Sequence, residues 1–228
     1  MNRLSSNLVT WSTKGLAPTP DVDALLQDLH QRFGRRDDLW VFGYASLIWR
    51  PEFETDERRP ARVHGWHRAL RMRSHINRGT PERHGLVFAL LSGGACRGEV
   101  YRLPVARADE ELRRLWAREM PTGVYTPRWL PCHTPDGTVP ALAFTLSRRH
   151  EACLAPMDDH AMLEILRHAR GRYGTTLDYL VQTAQALRAR GIHDRDIERL
   201  MTLAGRHRLL GPSATQAQAS PAEDPFSR

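Results

Sequence analysis

In the stretch DEELRRLWAREMP, residues Asp109 to Pro121, a glutamate occupies a position that periodicity reserves for an apolar side chain. Leu112, Leu115 and Trp116 have the i, i+3, i+4 spacing of a core-facing helix stripe, and the i+7 member of that stripe is Glu119. Its carboxylate is therefore aimed inward. It also stands in the last turn before Met120-Pro121, where the helix macrodipole disfavours negative charge. Burial and dipole both favour the protonated acid and should raise its pKa toward the range in which a general base works best. An ion pair with Arg118, Arg128 or Arg71 suits the same position, and helical spacing does not separate the two roles.

A second chemical feature is LWVFGYASLIWRP, Leu39 to Pro51, where Gly43, Ala45 and Ser46 interrupt an aromatic-rich run. A strand that breaks into small residues can present consecutive backbone N–H groups to a carboxylate or a developing oxyanion. A tight turn that merely avoids a clash uses the same residues. Ser46 as a hydrolase nucleophile is disfavoured, because GYASL is not the GxSxG elbow. Cys96 behind SGG reads as a small buried residue more readily than as a reactive thiol. His64 and His67 form HxxH, but strand alternation sends those rings to opposite faces, so no metal site is expected. Arg71 and Arg73 would share one strand face and could pair on an anion. The Arg- and His-rich segment 58–84 also resembles an RNA-binding surface, although alternating arginines equally make a solvated strand face.

The elements that must position these residues follow from pattern. Thr19-Pro20 and DVDALLQDLHQRFG predict a capped helix ending at Gly34. Strands are expected around 39–44, 61–73, 85–91 and 95–103, a helix over 106–119, and two strands joined near Asp136-Gly137. Helices follow at 158–169, 175–190 and 194–207, and the terminal stretch has a disordered composition. Strands first and helices clustered late indicate α+β with a curled or closed sheet. With 41% hydrophobic residues the chain can bury a real core. The net charge of +7 is carried almost wholly by arginine, Lys14 being the single lysine, and does not choose among anionic partners. Three widely spaced cysteines argue against a disulfide framework. The N-terminal residues lack the apolar core of a signal peptide, and no run suits a membrane helix. A soluble cytoplasmic protein is expected.

The blocks VFGYASLIW, RGTPERHGLV, GGAC, REMPTGVYTPRW, DYL and GIHD, in this order over roughly residues 39–207, resemble the ChaC-like gamma-glutamylcyclotransferases. That resemblance implies a compact mixed β-barrel flanked by helices. It divides the chain into an N-terminal extension (1–36), a catalytic domain (37–210) and a tail (211–228). It implies cleavage of gamma-glutamyl peptides, especially glutathione, to 5-oxoproline and the released amine, which is cysteinylglycine for glutathione. Another gamma-glutamyl amine or peptide fits the same motifs. The implied acid/base is Glu119, and Phe42, Gly43, Tyr44, Ala45, Ser46 and Leu47 form the implied substrate loop. Tyr44 and Tyr125 are expected to orient the glutamyl group, with Arg71 a candidate for its carboxylates. Because the substrate carries its own nucleophile, no cofactor, metal, nucleic acid or membrane partner is expected. Ala45 stands where the family has glycine, and an alanine forced to positive φ would cost on the order of 1 kcal/mol.

Overall fold

The computed structural model describes residues 39–211 together with Ala24 and Gln27. Those two residues are helical, and the remainder of the expected N-terminal helix and the tail beyond Gly211 lie outside the described residues.

The body is a closed barrel. β1 (Leu39–Gly43) lies antiparallel to β3 (Gly85–Leu103), β3 to β2 (Glu57–Ser74), β2 to β4 (Thr126–Thr134), and β4 to β5 (Gly137–Thr145). A parallel pairing of β1 with β5, Trp40 opposite Ala141 and Val41 opposite Leu142, seals the cylinder. Closure removes the sheet edges that would otherwise invite pairing with other chains. The strands expected at 85–91 and 95–103 are one continuous strand. The turn signal at Gly93-Gly94, with φ of 101° and 72°, is absorbed as an irregularity within the ladder. The β4–β5 hairpin turns at Asp136-Gly137 as expected.

The short helix α1 (Ser46–Trp49) leaves β1 directly, and α2 (Ala108–Glu119) follows a 3₁₀ turn at Val105–Arg107. A helical cluster then covers the sheet: α3 (Asp159–His168), α4 (Thr176–Arg188) and α5 (Arg195–Arg206), with a two-residue ribbon, β6 (Arg170–Gly171) and β7 (Gly174–Thr175), ahead of α4. Each start is encoded locally. Asp158 caps α3, Thr175 and Asp178 form a capping box on α4, and Asp194 caps α5. Alternation along β1 sorts the core: Trp40 and Phe42 join Phe88, Leu180 and Leu200 in the cluster beneath α3, α4 and α5. Val41 joins Leu112, Leu115 and Phe144 beneath α2. The catalytic candidates lie where these two halves meet.

Candidate active site

α2 delivers Glu119 as its periodicity requires, with Leu112 and Leu115 buried and Trp116 edge-on to Phe144 at 6.4 Å between centroids. The Glu119 side chain keeps only 15% exposure, and Oε1 lies 3.1 Å from Nε of Arg118. Burial raises the carboxyl pKa, Arg118 opposes that shift, and the nearby charge of Glu52 adds to it, leaving the net direction upward. The ion pair anticipated as an alternative role is thus present, with Arg118, and it does not cancel the upward shift. Arg128 is engaged elsewhere, over the Trp66 ring at 5.7 Å.

Arg118 also ties the glutamate to the small-residue loop. Its guanidinium donates to the Arg50 and Pro51 carbonyls and to Ser46 Oγ, the last at 3.3 Å, and approaches Glu52 Oε2 at 3.0 Å. The loop has its own anchor. Arg190 donates to the Ile48 carbonyl at 2.7 Å and pairs with buried Glu99 at 2.6 Å, while Trp49 Nε1 donates to Thr183 Oγ1 of α4. Gly43 is small because of crowding: a Cβ there would stand 2.8 Å from the Tyr101 ring and 3.2 Å from Leu47 Cβ. Ala45 has φ −144°, so the backbone conformation that would have penalised an alanine is not used. As N-cap, Ala45 offers no side-chain acceptor to the first N–H groups of α1.

Three phenols face the carboxyl. The Tyr44 and Tyr125 hydroxyls share a hydrogen bond, Tyr44 donates to the Phe144 carbonyl at 3.1 Å, and Tyr179 hydrogen-bonds Ser46. Burial is the main cause of their raised pKa values, Tyr179 being pushed up to about 12, and the charge of Glu119 raises all three further. They are neutral donors at any working pH. Arg78 lies over the Tyr179 ring at 5.0 Å and is itself buried, its Nη1 donating to the Tyr173 and Thr175 carbonyls.

The structure therefore brings together Tyr44, Ser46, Tyr125 and Glu119. Phe42 and Leu47 send their side chains into the two core clusters and can serve a ligand only through their main chain. Arg71 is committed elsewhere, its Nε donating to the Leu154 carbonyl at 2.7 Å. Sequence reasoning did not single out Arg78, Arg190 or the Tyr179 hydroxyl for the site. RGTPE and DYL marked two of those positions, but neither block has a periodicity that reveals its role. Ser46 is an acceptor from Arg118 and has no histidine partner among the described residues. Cys96 is buried with its thiol pKa pushed up by burial, the opposite of a nucleophile's environment. The His64 ring sits 5.3 Å from that of His133, whereas His67 Nδ1 bonds the Gly93 carbonyl. Among the described residues no group of three His, Cys, Asp or Glu is arranged to hold a metal ion.

This closed α+β barrel has the architecture of the gamma-glutamylcyclotransferases. It superimposes on a crystal structure of a yeast gamma-glutamyl cyclotransferase specific to glutathione with a TM-score of 0.69, at 21% identity, covering 75% of this chain and 97% of that one. The family model for ChaC-like protein matches residues 39–206, and the chain belongs to that family. It is 37% identical over 164 residues to the glutathione-specific gamma-glutamylcyclotransferase of Escherichia coli (strain K12), covering 72% of this chain and 71% of that protein. It is 31% identical over 179 residues to the glutathione-specific gamma-glutamylcyclotransferase of Schizosaccharomyces pombe, covering 70% and 87% respectively. No described helix is long and apolar enough to cross a membrane.

Proposed function

We propose that this protein cleaves glutathione to 5-oxoproline and cysteinylglycine, with Glu119 as the proton shuttle. The observation that carries the reading is the buried Glu119 carboxyl, its pKa raised, among three neutral phenols and joined through Arg118 to Ser46 at the start of α1. The chemistry asks for little more. The substrate's α-amine attacks its own γ-carbonyl, a C–N bond closes the five-membered ring, and the amide C–N bond to cysteine breaks. Well-oriented intramolecular attack carries an effective molarity of ~10⁵ M or more, so no enzyme nucleophile is required. The ammonium loses two protons on becoming the lactam N–H; the leaving nitrogen needs one to be expelled as an amine and takes a second once released. Glu119 takes the protons from the attacking nitrogen and returns them to the leaving one. Main-chain N–H groups of residues 43–47 receive the tetrahedral oxyanion or the glutamyl carboxylate, and Tyr44 and Tyr125 orient the group. The reaction takes place in the cytoplasm, in keeping with three free cysteines among the described residues.

The direct test is incubation of the purified protein with glutathione and a panel of other gamma-glutamyl amines and peptides, with 5-oxoproline followed by mass spectrometry. Glutathione should be turned over fastest. Preference for another gamma-glutamyl compound keeps the reaction and changes the substrate, whereas no 5-oxoproline from any of them defeats the proposal. The pH dependence follows from the same carboxyl. Its basic form is the active one, so kcat/KM should rise with pH through an apparent pKa above the ordinary carboxylate value of 4.5. A rate that stays flat while pH falls to that value would contradict a base of raised pKa.

A further inference from the structure

Away from Glu119, a cavity of about 650 Å³ opens between β2, β3 and the turn into α5, and none of the active-site residues described above lines it. Four arginines do: Arg62, Arg68, Arg97 and Arg195, with His67 and His193 beside them and the carboxylates Asp194 and Asp196 among the described lining residues. Arg62 and Arg97 are directly opposed in the β2–β3 register. Their neighbours Ala61, Val63 and Cys96 enter the main core, so alternation turns both guanidinium groups to the other face of the ladder. Like charges directly opposite on neighbouring strands destabilise a sheet. The Arg97 pKa is lowered first by burial and then by the charge of Arg62.

Arg68 sharpens the imbalance. Its side chain is 1% exposed; Nη2 donates to the Arg97 carbonyl at 2.6 Å and to Cys96 Sγ at 3.6 Å, and Nε lies 3.5 Å from Asp194 Oδ2. Its Nη1, and Nε of Arg62, are buried without a hydrogen-bond partner among the described residues. Asp194 is shared, because its Oδ1 accepts from Asp196 N and Ile197 N at the start of α5. That helix start adds its own positive end to the cavity wall. Among the described residues that line it, four arginines stand against two carboxylates, one of them already capping a helix, so the lining is net positive.

We propose that this cavity binds a phosphorylated small molecule, through the paired arginines Arg62 and Arg97 with Arg195 at its rim. Guanidinium forks suit phosphoryl oxygens bidentately. The volume lies in the range of sites that enclose a small organic ligand, and a lone inorganic phosphate would leave most of it unfilled. Several of the arginines that suggested an RNA surface in the sequence thus converge on an open concave site.

The test is calorimetric titration of the full chain at physiological ionic strength with ATP and with pyrophosphate. Saturable one-to-one binding of either is expected, and the pair of probes distinguishes a nucleotide from a simple polyphosphate. Arg62→Gln and Arg97→Gln should each weaken binding by about tenfold or more, as expected for losing a charged hydrogen-bond partner. Neither change should alter glutathione turnover without added phosphate. In phosphate-free buffer Arg62→Gln should melt no lower than the unaltered protein, since it relieves a repulsion, yet lose the rise in melting temperature that pyrophosphate induces. Should either strand variant fail to fold, Arg195→Gln at the exposed start of α5 reads the same loss of affinity. No saturable binding up to millimolar ATP and pyrophosphate, or equal binding by the variants, overturns the proposal.

Discussion

Glu119→Gln should lower 5-oxoproline formation by roughly 10²–10⁴-fold, the range for loss of a general acid–base, while glutathione still binds. The amide keeps the shape of the carboxyl, and its oxygen can still accept from Arg118, 3.1 Å away in the present pair. What it cannot do is carry a proton from the attacking to the leaving nitrogen. The effect on stability has an opposite sign. Burial holds the folded carboxyl above its unfolded value, so between the two values the native state binds more protons and stability falls as pH rises. The substituted amide does not ionise, so above that window the variant should melt at least as high as the unaltered protein, and the difference should shrink as pH falls below it. Turnover measured by mass spectrometry, binding by calorimetry and melting curves at several pH values separate these effects. Residual turnover within tenfold of normal would remove Glu119 from the shuttle role, whatever the melting curves show.

Gly85→Ala should destabilise the fold by about 3 kcal/mol or more, the upper end for overpacking, because the added methyl meets backbone. A Cβ at Gly85 would stand 2.1 Å from the Arg78 carbonyl oxygen and 2.6 Å from Thr176 Oγ1. Thr176 Oγ1 is the buried acceptor for the Leu86 N–H at 3.0 Å, so it has little freedom to retreat. The turn itself is locked from the other side, since a Cβ on Gly79 would meet Gly85 N at 2.0 Å. The loop backbone at Arg78-Gly79 therefore touches the start of β3 where RGTPERHG folds back on itself. The methyl must push Arg78 away from the Tyr179 ring, which stands beside Glu119. The melting temperature should drop on the order of 10 °C for a chain of this size. Activity should fall even at temperatures where the variant remains folded. A variant that melts within a degree or two of the parent would show that this contact relaxes without cost.

Helix faces and helix starts follow from neighbouring residues. The stripe Leu112, Leu115, Trp116, Glu119 fixed both the helix and the inward direction of its acid, because both depend on residues within two turns of each other. The caps at Asp158, Thr175 and Asp194 start helices close to where the sequence placed them, for the same local reason. Gly93-Gly94 misled, since the signal that ends a strand in isolation is tolerated inside a long ladder held on both sides. Arg71 shows a different limit. Its position on a strand face was legible, but its partner, the Leu154 carbonyl, comes from a segment 83 residues later.

The amino-acid order by itself determined most of the elements, the buried acid, the small-residue loop and the family. Only the tertiary structure decided that Arg118 links that acid to the loop, that Arg190 and Glu99 hold α1 in place, and that Tyr179, with Arg78 over its ring, stands near that acid. The division has a physical cause. Which face of an element is apolar depends on residues a turn or two apart, whereas which element covers that face depends on barrel closure between strands as distant as β1 and β5.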